Sequence, residues 1–175
     1  MNLSEKLNNT IKDVKDFPKK GINFKDITPI FNNPELSYAI TERLIKLNPL
    51  DVTHIAGIES RGFLFGFSMA IKSKTPFILI RKKGKLPSKK VSFKYELEYG
   101  TEEIEMHIGC VKSGDKVIIH DDLLATGGTA CAAANLIESQ GAKVIGFSFL
   151  VELSSLNGRD LLKEYSSSIV SLVKY

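Results

Sequence analysis

VIIHDDLLATGGTA, running from Val117 to Ala130, decides the fold: an apolar run, two adjacent acids, then a glycine-rich turn. Val117–Ile119 have the unbroken apolar character of a strand buried on both faces, which belongs in a parallel sheet covered by helices. Asp121 and Asp122 follow at the strand's carboxyl end. Beyond the turn, Ala130, Ala133, Ala134 and Ile137 fall at helical spacing. Strand, turn and helix in that order aim the turn's amides and the positive end of the helix dipole at one spot, a setting that favours an anion. Gly127 and Gly128 let the backbone approach a phosphate with no Cβ in the way, and Thr126 and Thr129 bring hydroxyl donors. The lysine of a triphosphate-binding loop and the three spaced glycines of a dinucleotide fingerprint are both missing, which leaves a cup for a monophosphate. Carboxylates accept hydrogen bonds from hydroxyls, so two acids beside the cup point to a phosphorylated sugar such as ribose 5-phosphate. Neighbouring strand residues face opposite ways, and both acids reach one sugar only if the chain leaves the extended form at Asp122.

On either side of this stretch strands and helices alternate. VTHIAGI, PFILIRK, KVIIHD and KVIGFSFLVEL have strand character, RGFLFGFSMAIKS and GTACAAANLIESQG helical character, and SSIVSLVKY forms a last strand. An α/β fold with a mostly parallel central sheet flanked by helices follows, with ligands expected at the carboxyl ends of its strands. VSFKYELEYGTEEIEMHI, residues 91–108, breaks the pattern and is expected to be a hairpin that turns near Tyr99-Gly100 and projects from the sheet. At the N-terminus, Leu3, Leu7, Ile11 and Val14 predict one amphipathic helix over the first sixteen residues, ahead of an irregular FPKKGINFKDITPIF. Asn33-Pro34 caps and opens the next helix, whose stripe is Leu36, Ile40, Leu44 and Leu47.

The 175 residues, 43% hydrophobic and 25% charged, fit one ordinary folded domain over 1–175. No secretory signal and no apolar run of membrane-spanning length occurs, so a cytoplasmic location and no membrane partner are expected. Cys110 and Cys131 lack the CxxC spacing of a redox or metal site and are expected to be reduced thiols buried as small hydrophobes. The net charge is +4, with Arg81, Lys82, Lys83, Lys85, Lys89 and Lys90 crowded into IRKKGKLPSKK. That loop contains no aromatic platform for bases, which argues against nucleic acid and leaves a small phosphorylated substrate. His120 is expected to be a packed strand-end histidine rather than a metal ligand, and Lys89 and Lys90 to be solvated.

The apolar run, two acids, LLATGGT and helix together resemble the diphosphate-sugar motif of the type I phosphoribosyltransferases. FPKKGINFKDITPIF, AGIESRGFLFG, LIRKKGKLP, YELEYGTEEIEMH and LVELSSLNGRD, in this order, resemble the adenine phosphoribosyltransferase family over nearly the whole chain. The resemblance implies a type I phosphoribosyltransferase fold with an adenine-binding hood over 1–33 and a catalytic core over 34–175 that carries a flexible loop at about 91–108. It implies transfer of the phosphoribosyl group of 5-phosphoribosyl 1-diphosphate to adenine, giving AMP and diphosphate in purine salvage, with Mg2+ held mainly by the substrate and a homodimer as the working form. A preference for a 6-oxopurine is the nearest alternative. A phosphoribosyl-diphosphate sensor on the same fold would be expected to carry a DNA-binding domain as well.

Carried over by resemblance, Ala125, Thr126, Gly127, Gly128 and Thr129 would hold the 5-phosphate. Asp121 and Asp122 would accept the ribose hydroxyls and face the positive charge that develops at the anomeric carbon. Ser60 and Arg61 would bind diphosphate, with a non-proline cis peptide before Ser60. Arg81, Lys82 and Lys85 would reach the same group, in part from a second subunit. Glu98 would take a proton from the purine ring, and Tyr95 and Tyr99 would close the loop over the site. Adenine would stack on Phe24, be read by main-chain groups around Lys25, and be covered by Leu123. Members of the family usually carry an apolar residue at Asn23, arginine at Lys25 and a hydrophobic residue at His120.

Overall fold

The computed structural model describes residues 1–97 and 100–175, and their contacts group into two units, 1–43 and 44–175. In the first, α1 (Leu3–Thr10) opens on a capping box: the Asn2 side chain accepts from the Glu5 amide at 2.9 Å, and the Asn2 amide donates back to Glu5 at 2.8 Å. The expected sixteen-residue helix ends six residues early. Ile11 is already extended, and residues 12–15 form β1 (Lys12–Lys15), antiparallel to β2 (Asn23–Asp26). Thr10 bonds back to the Lys6 carbonyl at 2.8 Å, and Asp13 gains cross-strand partners that a helix would deny it. The link between the strands is irregular, as expected: Asp16 sits at φ +58° and accepts from Gly21, and the Phe17-Pro18 peptide is cis. A 3-10 turn over Thr28–Asn32 then leads to α2 (Pro34–Leu47), where Asn33 caps the Leu36 amide at 3.0 Å.

The second unit is built on β3 (His54–Ile58), α3 (Gly62–Ser73), β4 (Phe77–Lys82), β5 (Lys90–Leu97), β6 (Gly100–His107), β7 (Lys116–Leu124), α4 (Gly128–Glu138), β8 (Lys143–Glu152), α5 (Gly158–Leu162) and β9 (Ile169–Lys174). These strands form one seven-stranded sheet in the order β5-β6-β4-β3-β7-β8-β9. From β4 to β9 the pairing is parallel, and the β5–β6 hairpin joins β4 antiparallel. Burial on both faces explains the unbroken apolar strands: Val117, Ile118, Ile119, Val144, Phe147 and Phe149 are each at most 1% exposed. After β3 the chain moves to one side, through β4; after β7 it moves to the other, through β8 and β9. The switch point, where open α/β sheets place their ligands, is therefore the crevice between the carboxyl ends of β3 and β7.

The hairpin does not stand away from the sheet as expected. Its base pairs Arg81 with Glu105 and Lys82 with Ile104, and its apolar face joins the core through Val91, Phe93, Tyr95, Ile104 and Met106. That alternation, apolar in and polar out along β5, is what lays it against the domain. Glu98 and Tyr99, at the expected turn, lie outside the described residues. The strand that carries the two acids also runs further than expected, through Leu124. Among the described residues no helix is long and apolar enough to cross a membrane.

Candidate active site

The glycine-rich turn occupies the place its sequence predicts. Gly127 takes φ +87°, a conformation in which an L side chain is strained, and α4 begins at the next residue. No side chain caps this helix, so its first amides are available to an acceptor from outside. A cavity of about 70 Å3 opens here, lined by Asp121, Leu123, Leu124, the whole of 125–130 and Phe149. The residues expected to hold a sugar phosphate thus surround one space.

The two acids converge without a break in the strand. Asp121 turns back so that its Oδ1 accepts the Asp122 amide at 2.8 Å, while Asp122 Oδ2 pairs with Arg61 Nε at 2.8 Å. Glycine at 62 permits this: a Cβ there would stand 2.9 Å from Asp121 Oδ1 and from the His120 carbonyl. Both carboxylates therefore meet the start of α3, which also opens without a side-chain cap. Burial, and then the charge of Asp122, raise the Asp121 carboxyl well above the usual range.

Ser60 follows a cis Glu59-Ser60 peptide, as expected. Glu59, to which the sequence assigned nothing, organises this loop. Its carboxylate accepts from Arg81 Nη2 at 2.9 Å, from Arg81 Nε at 3.2 Å and from the Lys82 amide at 3.0 Å. Arg81 Nη1 donates in turn to the Lys85 carbonyl at 2.8 Å. Arg81 thereby ties the loop at 59–60 to the basic turn, and its hydrogen bonds to the carboxylate hold Glu59 below the usual range. Lys82 meets Glu102 at 3.3 Å on the surface, and Lys85 is exposed. Lys90, expected to be solvated, instead pairs at 3.0 Å with Glu105, which is almost fully buried.

In the N-terminal unit, Phe24 is half-buried and packs edge-on to Phe17, with ring centroids 5.2 Å apart. Asn23 and Lys25, two of the family departures, share a face of β2 and a partner: Lys25 Nζ is 2.5 Å from Asp13 Oδ1, and the Asn23 amide donates to the same oxygen at 3.2 Å. The departures therefore act together as one polar cross-strand cluster, and the β2 main chain keeps its pairing. His120 is fully buried, with Nδ1 3.2 Å from Ser148 Oγ. Burial depresses its pKa to about 4, so it is a neutral packed ring near pH 7. Both cysteines are free, as expected, but only half-buried rather than fully packed into the core.

A phosphoribosyl transferase domain model matches residues 27–172. An adenine phosphoribosyltransferase of Cytophaga hutchinsonii is 48% identical over 174 residues, covering 99% of this chain and 96% of the relative. The crystal structure of adenine phosphoribosyltransferase from Thermoanaerobacter pseudethanolicus superposes with a TM-score of 0.94 at 46% identity, covering 98% of this chain and 99% of that one. The Saccharomyces cerevisiae enzyme, complexed with D-2,5-dideoxy-2,5-imino-altritol 1,6-bisphosphate and adenine, gives 0.90 at 36% identity over 98% of both chains.

Proposed function

The chain belongs to the phosphoribosyl transferase family and, within it, to the adenine phosphoribosyltransferases, and from that membership we propose how its residues carry the transfer of a 5-phosphoribosyl group from its 1-diphosphate to adenine. The observation that carries the proposal is the single cavity shared by Asp121 and the uncapped turn at 125–129, at the switch point of the sheet. The amides of Gly128 and Thr129, with the Thr126 and Thr129 hydroxyls, take the 5-phosphate. Asp121 and Asp122 take the ribose hydroxyls, and their charge favours the oxocarbenium-like transition state over the ground state.

Arg61, the guanidinium now on Asp122, exchanges toward the diphosphate together with Ser60 and Lys85. Arg81 acts mainly by holding Glu59 and the loop before Ser60 in place. As the new bond forms between the purine nitrogen and the anomeric carbon, the bond to diphosphate breaks and its electron pair leaves with that group. The purine ring proton passes to Glu98. Leu123, which lines the cavity, covers one face of the base, and Tyr95 steadies the loop strand through Thr129, 3.2 Å away.

The oxygen donors at this crevice, Asp121 and Asp122, are of the type Mg2+ prefers, and the substrate's own phosphate oxygens would supply the rest of its shell. Bound there, the ion would neutralise charge on the departing diphosphate. Leu64, Phe67 and Ile71 form an exposed apolar stripe on α3, which supports a homodimer; sedimentation should return twice the 19.4 kDa chain mass.

The deciding assay is AMP formation from labelled adenine and 5-phosphoribosyl 1-diphosphate, with and without Mg2+, in competition with hypoxanthine, guanine and xanthine. Mg2+-dependent AMP formation that the 6-oxopurines fail to suppress is expected. A preference for hypoxanthine or guanine would refute the base assignment, and no product with any purine would refute the reaction.

A further inference from the structure

The stretch Leu153–Arg159 takes no part in the chemistry above, yet it leans on the turn that holds the phosphate. It leaves β8 with the Leu153 amide donating to the Leu124 carbonyl at 2.9 Å, where β7 ends and the cup begins. A 3-10 turn over Ser154–Leu156 and Asn157 at φ +51° then bring Gly158 beneath the cup. The contact is backbone on backbone. A Cβ on Gly158 would stand 2.7 Å from the Thr126 carbonyl carbon and 2.8 Å from the Gly127 nitrogen, and would overlap the Ala125 carbonyl oxygen outright. From the other side, a Cβ on Gly127 would stand 2.6 Å from the Gly158 carbonyl oxygen. Two glycines thus face each other, and neither chain can carry a side chain there.

The next residue bolts this wall in place. Arg159 makes a two-pronged pair with Glu152, Nε to Oε1 at 3.0 Å and Nη2 to Oε2 at 2.5 Å, and donates from Nη1 to the Ile169 carbonyl at 2.8 Å. Glu152 is 5% exposed, and the strand ends around it are joined by the Ser154 amide to Tyr175 and the Tyr175 amide to Glu152, at 2.8 and 2.9 Å. The segment is therefore fixed to the ends of β7, β8 and β9, with none of these hydrogen bonds reaching the turn at 125–127. A turn of small residues has little side-chain packing of its own to hold its amides in register, and amides held ready spend less ordering free energy when the ligand arrives.

We infer that Gly158, anchored by the Arg159–Glu152 pair, is a positioning residue for the phosphate cup: its backbone is the wall against which Ala125–Gly127 rest. The inference rests on the assignment of that cup to the 5-phosphate.

Gly158→Ala tests it, because Gly158 is not in the left-handed region and the added methyl acts only by pushing on the cup. The expected result is an increase of about 10- to 100-fold in KM for 5-phosphoribosyl 1-diphosphate, with a matching rise in the dissociation constant for ribose 5-phosphate. KM for adenine should change less than twofold, and kcat less than threefold, since the 5-phosphate is held alike in ground and transition states. Arg159→Lys, which keeps the charge but loses the fork, should shift the same constants in the same direction by a smaller factor. Gly114→Ala, in a distant turn at φ +91° with open space around it, should lower Tm and leave all of these constants unchanged.

The inference is overturned if Gly158→Ala and Arg159→Lys lower Tm but bind ribose 5-phosphate as wild type does. Should Gly158→Ala fail to fold, Arg159→Lys decides by the same constants. Failure of the wild-type protein to bind ribose 5-phosphate would instead sink the assignment of the cup itself.

Discussion

Replacing Gly127 by alanine probes the turn most directly. Two costs can be separated in advance. Holding an L residue in the left-handed region costs about 1–2 kcal/mol, and Gly127 sits at φ +87°. The new Cβ would also stand 2.6 Å from the Gly158 carbonyl oxygen, where an ordinary carbon–oxygen contact is about 3.3 Å. Relief requires roughly 0.7 Å of movement between two backbones, with an overpacking cost of about 1–3 kcal/mol. The sum, about 2–5 kcal/mol, corresponds to a fall in Tm of roughly 5–15 °C for a chain of this length. Gly114→Ala bears the conformational cost alone, because nothing lies within 4 Å of its Cβ position. Thermal melts of both variants, with calorimetric titration of ribose 5-phosphate, therefore isolate the contact. Gly127→Ala should melt well below Gly114→Ala and lose most of its affinity for the sugar phosphate. Equal melting of the two variants would refute the stacked-backbone contact, and undiminished affinity in Gly127→Ala would refute the cup.

Other expectations concern charge. His120 has a folded pKa of about 4 against an ordinary 6.5, so the unfolded chain binds the extra proton between those values and stability falls as pH drops through that window. At 1.36 kcal/mol per unit the loss is about 3 kcal/mol; His120→Leu should flatten that part of the Tm–pH curve, and an unchanged slope would refute the assignment. Glu59 is held below its ordinary 4.5 chiefly by Arg81, so the pair's stabilisation is present above pH 4.5 and lost as acid protonates the folded carboxyl. Arg81→Gln should therefore cost about 1–2 kcal/mol at pH 7 and progressively less below pH 4.5, read from denaturant midpoints across pH; a constant deficit would show that the charge is not the cause. Glu98→Ala should lower kcat by two to four orders of magnitude, on the order of general acid–base contributions, while AMP binding changes little; unchanged turnover would remove Glu98 from proton transfer.

What the sequence determined by itself was local. Asn2 and Asn33 cap helices because the partner amides lie three residues away. The strands are continuous and apolar because both faces are covered, and the turn at 125–129 carries its ligand chemistry in glycines and hydroxyls set before a helix. These features depend on neighbours along the chain, so they survive without knowledge of the fold. Even the departures at Asn23 and Lys25 were visible as departures, though their common partner Asp13 was not.

Tertiary structure decided what depends on distant partners. Residues 12–15 satisfy a helical spacing and a strand equally well, and pairing with 23–26 selects the strand. The β5–β6 hairpin lies along the sheet edge because its inward residues find the core. Asp121 lines the cavity and Asp122 meets Arg61 without the strand breaking, because Asp121 folds back on the Asp122 amide and glycine at 62 makes room. Glu59 meets Arg81 across 22 residues of sequence, and Gly158 lies under Gly127. No periodicity announces such meetings, since a hydrogen bond or a close backbone approach is governed by distance in space, and strand order alone brings those residues together.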